Sequence, residues 1–185
     1  FEVAPYFNDP KAGAVQIGVR MYNRSAGLVA RMQDMEFVAF TEIYQRARQR
    51  VGSVGLGGNG QFVRLTALTS LGDEPWTDCL TEDLELGVHL MLEGWENNFC
   101  PTTAVSQQAV VSVRRLIRQR SRWFQGHLQC WSLIPKVLRA THLPANQSND
   151  LLYHLSGPAL TLLMTPTMVV CVLGFCLMFA LHPYD

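Results

Sequence analysis

The chain has 185 residues, of which 48% are hydrophobic and 16% charged, with a formal net charge of zero. The length suffices for one domain with a sizeable core, and neutrality removes any global electrostatic case for a nucleic-acid partner. A charged share well under the usual ~25% points to a membrane segment.

The chain opens on Phe1 without a signal-peptide pattern and reads as a piece excised from something longer. Residues 15–22 alternate apolar and longer polar side chains, as a half-buried strand does. Residues 28–50 read as helix, with Met32, Met35, Glu36, Ala39 and Ile43 at helical spacing and Gly52 as the stop. Residues 54–60 are glycine-rich, and 62–71 form a short helix or strand followed by a turn. Thr81 is placed to cap the next helix, with Glu82, Asp83 and Glu85 in its first turn, where the dipole favours acids. Leu84, Val88, Met91 and Leu92 form the buried stripe of that helix and Gly94 its C-terminal cap; strand and loop follow to Val105.

Residues 97–149 hold 7 Lys or Arg and no acid until Asp150, whereas residues 1–96 hold 8 Lys or Arg against 13 Asp or Glu. Within the basic block, 112–134 reads as an amphipathic interfacial helix. Val113, Leu116, Ile117, Phe124, Leu128 and Trp131 lie on one side, and Arg114, Arg115, Arg118 and Arg122 on the other. Arg120 and His127 fall inside the apolar side, which predicts a break near 119–123. Residues 155–181 carry no charge and exceed the ~20 residues that span a bilayer, with Pro158 and Pro166 as kinks a membrane helix tolerates. The basic block before this run marks its cytoplasmic side. Five cysteines, odd in number and without a Cys-x-x-Cys pair, argue against a disulfide framework or a zinc site.

Three clusters carry chemistry. Gly57-Gly58-Asn59-Gly60-Gln61 allows close backbone approach to a ligand, or is a plain turn. Thr81-Glu82-Asp83 offers a carboxylate that a pocket could tune into a general base, although capping accounts for the same acids. Gln119-Arg120-Ser121-Arg122-Trp123 offers a guanidinium fork for diphosphate oxygens and a flat indole for a sugar ring, or is a solvated basic face.

Taken in this order, before an uncharged helix, the three clusters resemble family 2 glycosyltransferases of the processive polysaccharide-synthase type, such as the cellulose and hyaluronan synthases. Their Thr-Glu-Asp and Gln-x-x-Arg-Trp motifs are both present, and Val15-Gln16, Asn23 and Met35-Glu36-Phe37 also match. The resemblance implies an α/β fold: a partial GT-A domain over 1–110, an amphipathic interface segment over 111–150 and a transmembrane helix over 151–182. It implies Asp83 as catalytic base and Thr81 and Glu82 as neighbours that shape the site. Gln119 and Arg122 would hold the donor diphosphate and the acceptor end, Trp123 would stack near the acceptor sugar, and Asn59, Gly60 and Gln61 would line the acceptor site.

It further implies a bacterial enzyme in the inner membrane, multi-pass in its parent, with the catalytic part cytoplasmic. Its partners would be a UDP-sugar donor, a glycan acceptor and lipid, with no nucleic acid. The reaction would move a hexose, with inversion, onto a growing polysaccharide. The alternatives are a non-processive transferase acting on a lipid or short glycan, and a non-catalytic membrane adaptor. Such enzymes hold Mg²⁺ or Mn²⁺ with an Asp-x-Asp motif that is absent from this chain, so the donor-binding half is expected to be missing and the fragment inactive on its own.

Overall fold

The computed structural model describes residues 2–181. Its centre is strand β1 (Ala12–Met21), flanked by the antiparallel β2 (Gln61–Val63) and the parallel β3 (Glu96–Gln107) in the order β2-β1-β3. Because β1 is the middle strand and is covered on both faces, all but one of its residues are buried. It is therefore a fully buried strand, not the half-buried one its alternation suggests. The β1–β3 register runs from Ile17 opposite Cys100 to Gly18 opposite Ala104, so Pro101–Thr103 bulge out of the ladder.

The helical stretch after β1 divides into α1 (Leu28–Ala39), a π-helical segment (Phe40–Gln45) and α2 (Arg46–Val51), which stops at Gly52. Its inward face is polar: Gln33, Asp34, Thr41, Gln45 and Arg48 are buried, whereas Met32, Met35 and Ile43 are exposed. The reason lies in the backbone groups these polar side chains serve. Asp34 accepts the Met21 N–H at 2.8 Å, Gln33 accepts the N–H and donates to the C=O of Val110, and Gln45 does the same for Gly55.

Both alternatives for 62–71 occur, as β2 followed by the short helix α3 (Leu65–Ser70). Helix α4 (Glu82–Leu92) buries Leu84, Val88 and Met91 as expected, and Leu86 and Leu90 on its other side. It therefore sits between two cores. One joins Leu86 and Leu90 to Leu56, Ala67 and β1; the other joins Leu84, Val88 and Met91 to Cys130, Leu133, Val137, Leu151 and Leu155.

Helix α5 (Val113–Gln129) is unbroken through 119–123, and the bend comes instead at a 3-10 turn (Cys130–Leu133) before α6 (Ile134–Arg139). Arg120 and His127 interrupt the apolar side without breaking the helix because each finds a protein partner: Glu36 takes Arg120, and His127 packs edge-on to His154 at 5.3 Å, while Val113, Ile117, Leu128 and Trp131 of that side are exposed. Helix α7 (Ala145–Leu155) precedes α8 (Gly157–Leu181), so the long helix starts at Gly157 and a separate helix covers 145–155; residue 182 lies outside the described residues. At the helical rise the 25 residues of α8 extend about 37 Å, enough to cross a hydrocarbon core. Thr161 to Leu181 are exposed throughout, so α8 is no core helix of this unit. The whole is an α/β unit with a small sheet, part of a GT-A domain, joined to one helix long and apolar enough to cross a membrane.

Candidate active site

The glycine-rich loop is held from both neighbouring strands. Gln16 of β1, 2% exposed, accepts the Gly57 N–H at 2.9 Å and donates to the Asn59 carbonyl at 2.8 Å. The Asn59 amide reaches Gln107 at the end of β3 at 2.6 Å, and Gln61 accepts the Gly58 N–H at 3.2 Å. A buried amide with both ends committed to one loop fixes its shape.

That loop meets Asp83. Gly58 has φ 68°, which favours glycine, and a Cβ built there would stand 3.1 Å from Asp83 Oδ2, so the loop runs close beside the carboxylate. Asp83 is half-buried and Glu82 exposed. Burial raises the Asp83 carboxyl above the ordinary carboxylate range; the Leu84 N–H, donating to Oδ1 at 2.8 Å, pulls the other way, and the Glu82 charge adds to the rise.

Thr81 occupies the cap position, but its hydroxyl caps nothing. Oγ1 lies 3.6 Å from both Cys79 Sγ and Cys130 Sγ, and Thr81 itself is buried against α5. A Cβ at Gly126 would come within 2.6 to 2.7 Å of Thr81 Cγ2, N and Oγ1, so the absence of a side chain at 126 lets α5 touch the Thr-Glu-Asp segment. Gln129 accepts the Leu80 N–H at 2.9 Å and Cys79 Sγ donates to the Gly126 carbonyl at 3.5 Å. Cys79 and Cys130 are free thiols 3.5 Å apart, and burial pushes Cys130 up to about 12.

One and two turns before Gly126 on this docked helix come Trp123, Arg122 and Gln119, spaced to share a face. Trp123 is half-buried, with the Phe37 ring edge-on at 6.3 Å and the Arg120 guanidinium 4.2 Å from its ring centre. Arg122 is exposed, and neither its side chain nor that of the half-buried Gln119 makes a hydrogen bond or ion pair among the described residues. The fold thus joins loop to carboxylate and carboxylate segment to Arg-Trp helix. The chemistry available is a carboxylate of raised pKa, an uncommitted guanidinium for an anion, and an indole for an apolar ring face.

A divalent ion does not fit these residues. Among the described residues no three His, Cys, Asp or Glu are disposed to hold one, and Asp9 spends Oδ1 on the Lys11 N–H at 2.9 Å.

Gln16, Asn23, Glu36, Phe37, Arg120 and Gly126 support the site without being among its expected members. Asn23 locks Ala109, four residues before α5, through two bonds of 3.0 and 2.7 Å. Arg120 carried a sequence signal, as a charge on an apolar face; Gly126 carried none, because a lone glycine in a helix does not say what it touches.

Residues 2–184 match the family model described as "Glycosyl transferase family group 2". The chain is 34% identical over 129 residues to the beta-monoglucosyldiacylglycerol synthase of Synechocystis sp., covering 69% of this chain and 26% of the relative. It is 35% identical over 140 residues to the synthase of the same name from Trichormus variabilis, covering 72% and 29%. With the poly-beta-1,6-N-acetyl-D-glucosamine synthase of Staphylococcus aureus it shares 28% over 131 residues, covering 66% and 31%. The chain thus spans under a third of the length of these relatives, in a family whose members are generally associated with a divalent metal. With this match across nearly all of its residues, the chain belongs to glycosyl transferase family group 2.

Proposed function

We propose that the intact protein transfers a hexose from a UDP-sugar to a hydroxyl presented at the bilayer, with inversion. Asp83 takes the proton of the attacking hydroxyl, Arg122 offsets part of the charge on the leaving diphosphate while the Gln119 amide donates to it, and Trp123 aligns the acceptor. Thr81 and Glu82 shape the site, and the Asn59–Gln61 loop borders the acceptor. The observation that carries this reading is the contact of Gly58 with Asp83, which puts a carboxylate of raised pKa at the edge of a rigid glycine loop. A non-catalytic adaptor docked on lipid has no use for that contact.

The acceptor we favour is a lipid hydroxyl of the diacylglycerol type, because the relatives of 34 and 35% identity carry that activity in their names. A growing polysaccharide, favoured by the Gln-x-x-Arg-Trp resemblance and by the 28% relative, is the second reading. Residues 1–150 lie on the cytoplasmic side and α8 in the inner membrane. The full-length enzyme, given radiolabelled UDP-glucose and vesicles containing diacylglycerol, should yield a single-sugar lipid that migrates on thin-layer plates. Label retained at the origin as polymer would transfer the proposal to the second reading, and no transfer of any UDP-hexose to either acceptor would overturn both.

A further inference from the structure

Trp123 does not stand alone on its helix. Two consecutive residues of α1 hold it and its neighbour: Phe37 meets the indole edge-on, and the Glu36 carboxylate pairs with Arg120 Nη2 at 2.7 Å. Arg120, three residues before Trp123 and so on the same side of α5, lays its guanidinium over the indole at 4.2 Å. The cation takes one face of the ring. Glu36 is 56% and Arg120 30% exposed, so the ion pair adds little to folding stability. Its geometry nevertheless reaches the indole directly. Were Glu36 uncharged, Arg120 would be free to leave the ring for water, because none of the other ion pairs among the described residues involves it.

We propose that Glu36 and Arg120 are a positioning pair that fixes the indole of Trp123 for the acceptor. The inference rests on the reading of Trp123 as an acceptor-side residue given above. Arg120 is held apart from Arg122, two residues on, whose guanidinium is exposed and uncommitted. One arginine of the motif region thus serves the ring and the other remains available to the donor.

The test uses the full-length enzyme with UDP-glucose and diacylglycerol vesicles, and the variants Glu36→Gln, Arg120→Gln, their double, Arg120→Lys and Trp123→Phe. Glu36→Gln and Arg120→Gln should each lower kcat/KM for the acceptor roughly tenfold, below the ~100-fold that a misplaced reacting group costs. Donor KM and melting temperature should stay near wild type. The double variant should be no worse than the poorer single, because both remove one coupled arrangement. Arg120→Lys should recover only part, since it keeps the charge and loses the planar stack. The fluorescence contributed by Trp123, taken as the difference from the Trp123→Phe protein, should shift in Glu36→Gln and Arg120→Gln alike. Loss of transfer in Trp123→Phe with wild-type kinetics in Glu36→Gln and Arg120→Gln would overturn the positioning role alone. Wild-type transfer in all three would overturn the acceptor-side reading of Trp123 and the positioning role with it. An unchanged Trp123 emission in both charge variants would overturn the positioning role whatever the acceptor.

Discussion

Gly126 and Thr81 touch so closely that one methyl group on the glycine would fall 2.7 Å from the Thr81 backbone nitrogen. This contact joins the helix bearing Arg122 and Trp123 to the segment bearing Asp83. Gly126→Ala should gain up to ~1 kcal/mol in helix propensity and lose ~1–3 kcal/mol by overpacking, so the net effect is destabilising. At a few degrees per kcal/mol for a chain of this size, calorimetry on the full-length protein should show a small drop in Tm. Transfer should fall further than stability, since the shift separates the two halves of the site. Thr81→Ser, which removes Cγ2, should relieve the double variant only partly, because the backbone nitrogen stays. A Gly126→Ala enzyme with unaltered Tm and rate would show that α5 can move away at no cost.

Asp83 and Glu82 are adjacent acids at one helix start, yet only Asp83 is half-buried and against the loop. Asp83→Asn keeps the shape and the acceptor oxygen for the Leu84 N–H while removing the proposed base. Transfer by the full-length enzyme should drop ~100-fold or more, the scale of a lost general base, with donor binding retained. Glu82→Gln, at an exposed position, should cost far less. The reverse ranking of the two variants would exchange their roles, and full activity in both would leave the acids as ordinary helix-start residues.

Much of this arrangement was legible from the residues because it depends on local signals. The uncharged run gave α8, the acids and the apolar stripe gave α4, and Gly52 and Gly94 gave two helix ends. What was not legible depends on contacts between distant segments. A strand covered on both faces looks the same as one covered on one face when Gln16 and Arg20 interrupt its apolar run, and Gln16 is buried only because the 57–60 loop needs its amide. The inward face of α1 is polar because Asp34 and Gln33 satisfy backbone groups of β1 and Val110, which helical spacing alone does not reveal. The expected break in α5 assumed that Arg120 would seek water, whereas Glu36 and the Trp123 ring receive it. The motif residues themselves were found by type and order, but which of their partners hold them in place required the fold.

The raised pKa of Asp83 fixes the sign of two pH effects. In the proposed role Asp83 works deprotonated, so kcat of the full-length enzyme should fall on acidification through a pKa above the ordinary carboxylate value. For stability, the folded protein holds the Asp83 proton at higher pH than the unfolded chain does. The group therefore costs stability at neutral pH, and the cost disappears as pH falls through the raised pKa towards the ordinary one. Asp83→Asn should accordingly be more stable than wild type at pH 7, with the gap closing on acidification. Melting curves from pH 7 to 4 check this, and a gap that widens towards low pH would mean that the carboxylate is stabilised by the fold.

Arg122 offers the sharpest separation of structural from chemical roles, because the fold makes no visible use of it. It is exposed on α5, and its side chain forms no hydrogen bond or ion pair among the described residues. Changes at exposed positions of this kind usually alter stability by no more than about 0.5 kcal/mol. Arg122→Ala in the full-length enzyme should therefore melt with wild type. If the guanidinium meets the donor diphosphate, the same change should raise donor KM and lower kcat together, by roughly tenfold or more, since charge-assisted bidentate bonds are among the stronger polar contacts. Arg122→Lys distinguishes charge from geometry: an ammonium keeps the attraction but cannot supply two parallel N–H donors, so recovery should be incomplete. Raising ionic strength should weaken donor binding in the wild type and less so in Arg122→Ala. An Arg122→Ala enzyme that keeps its donor KM and its rate would leave this stretch of α5 as a basic face at the lipid surface and nothing more.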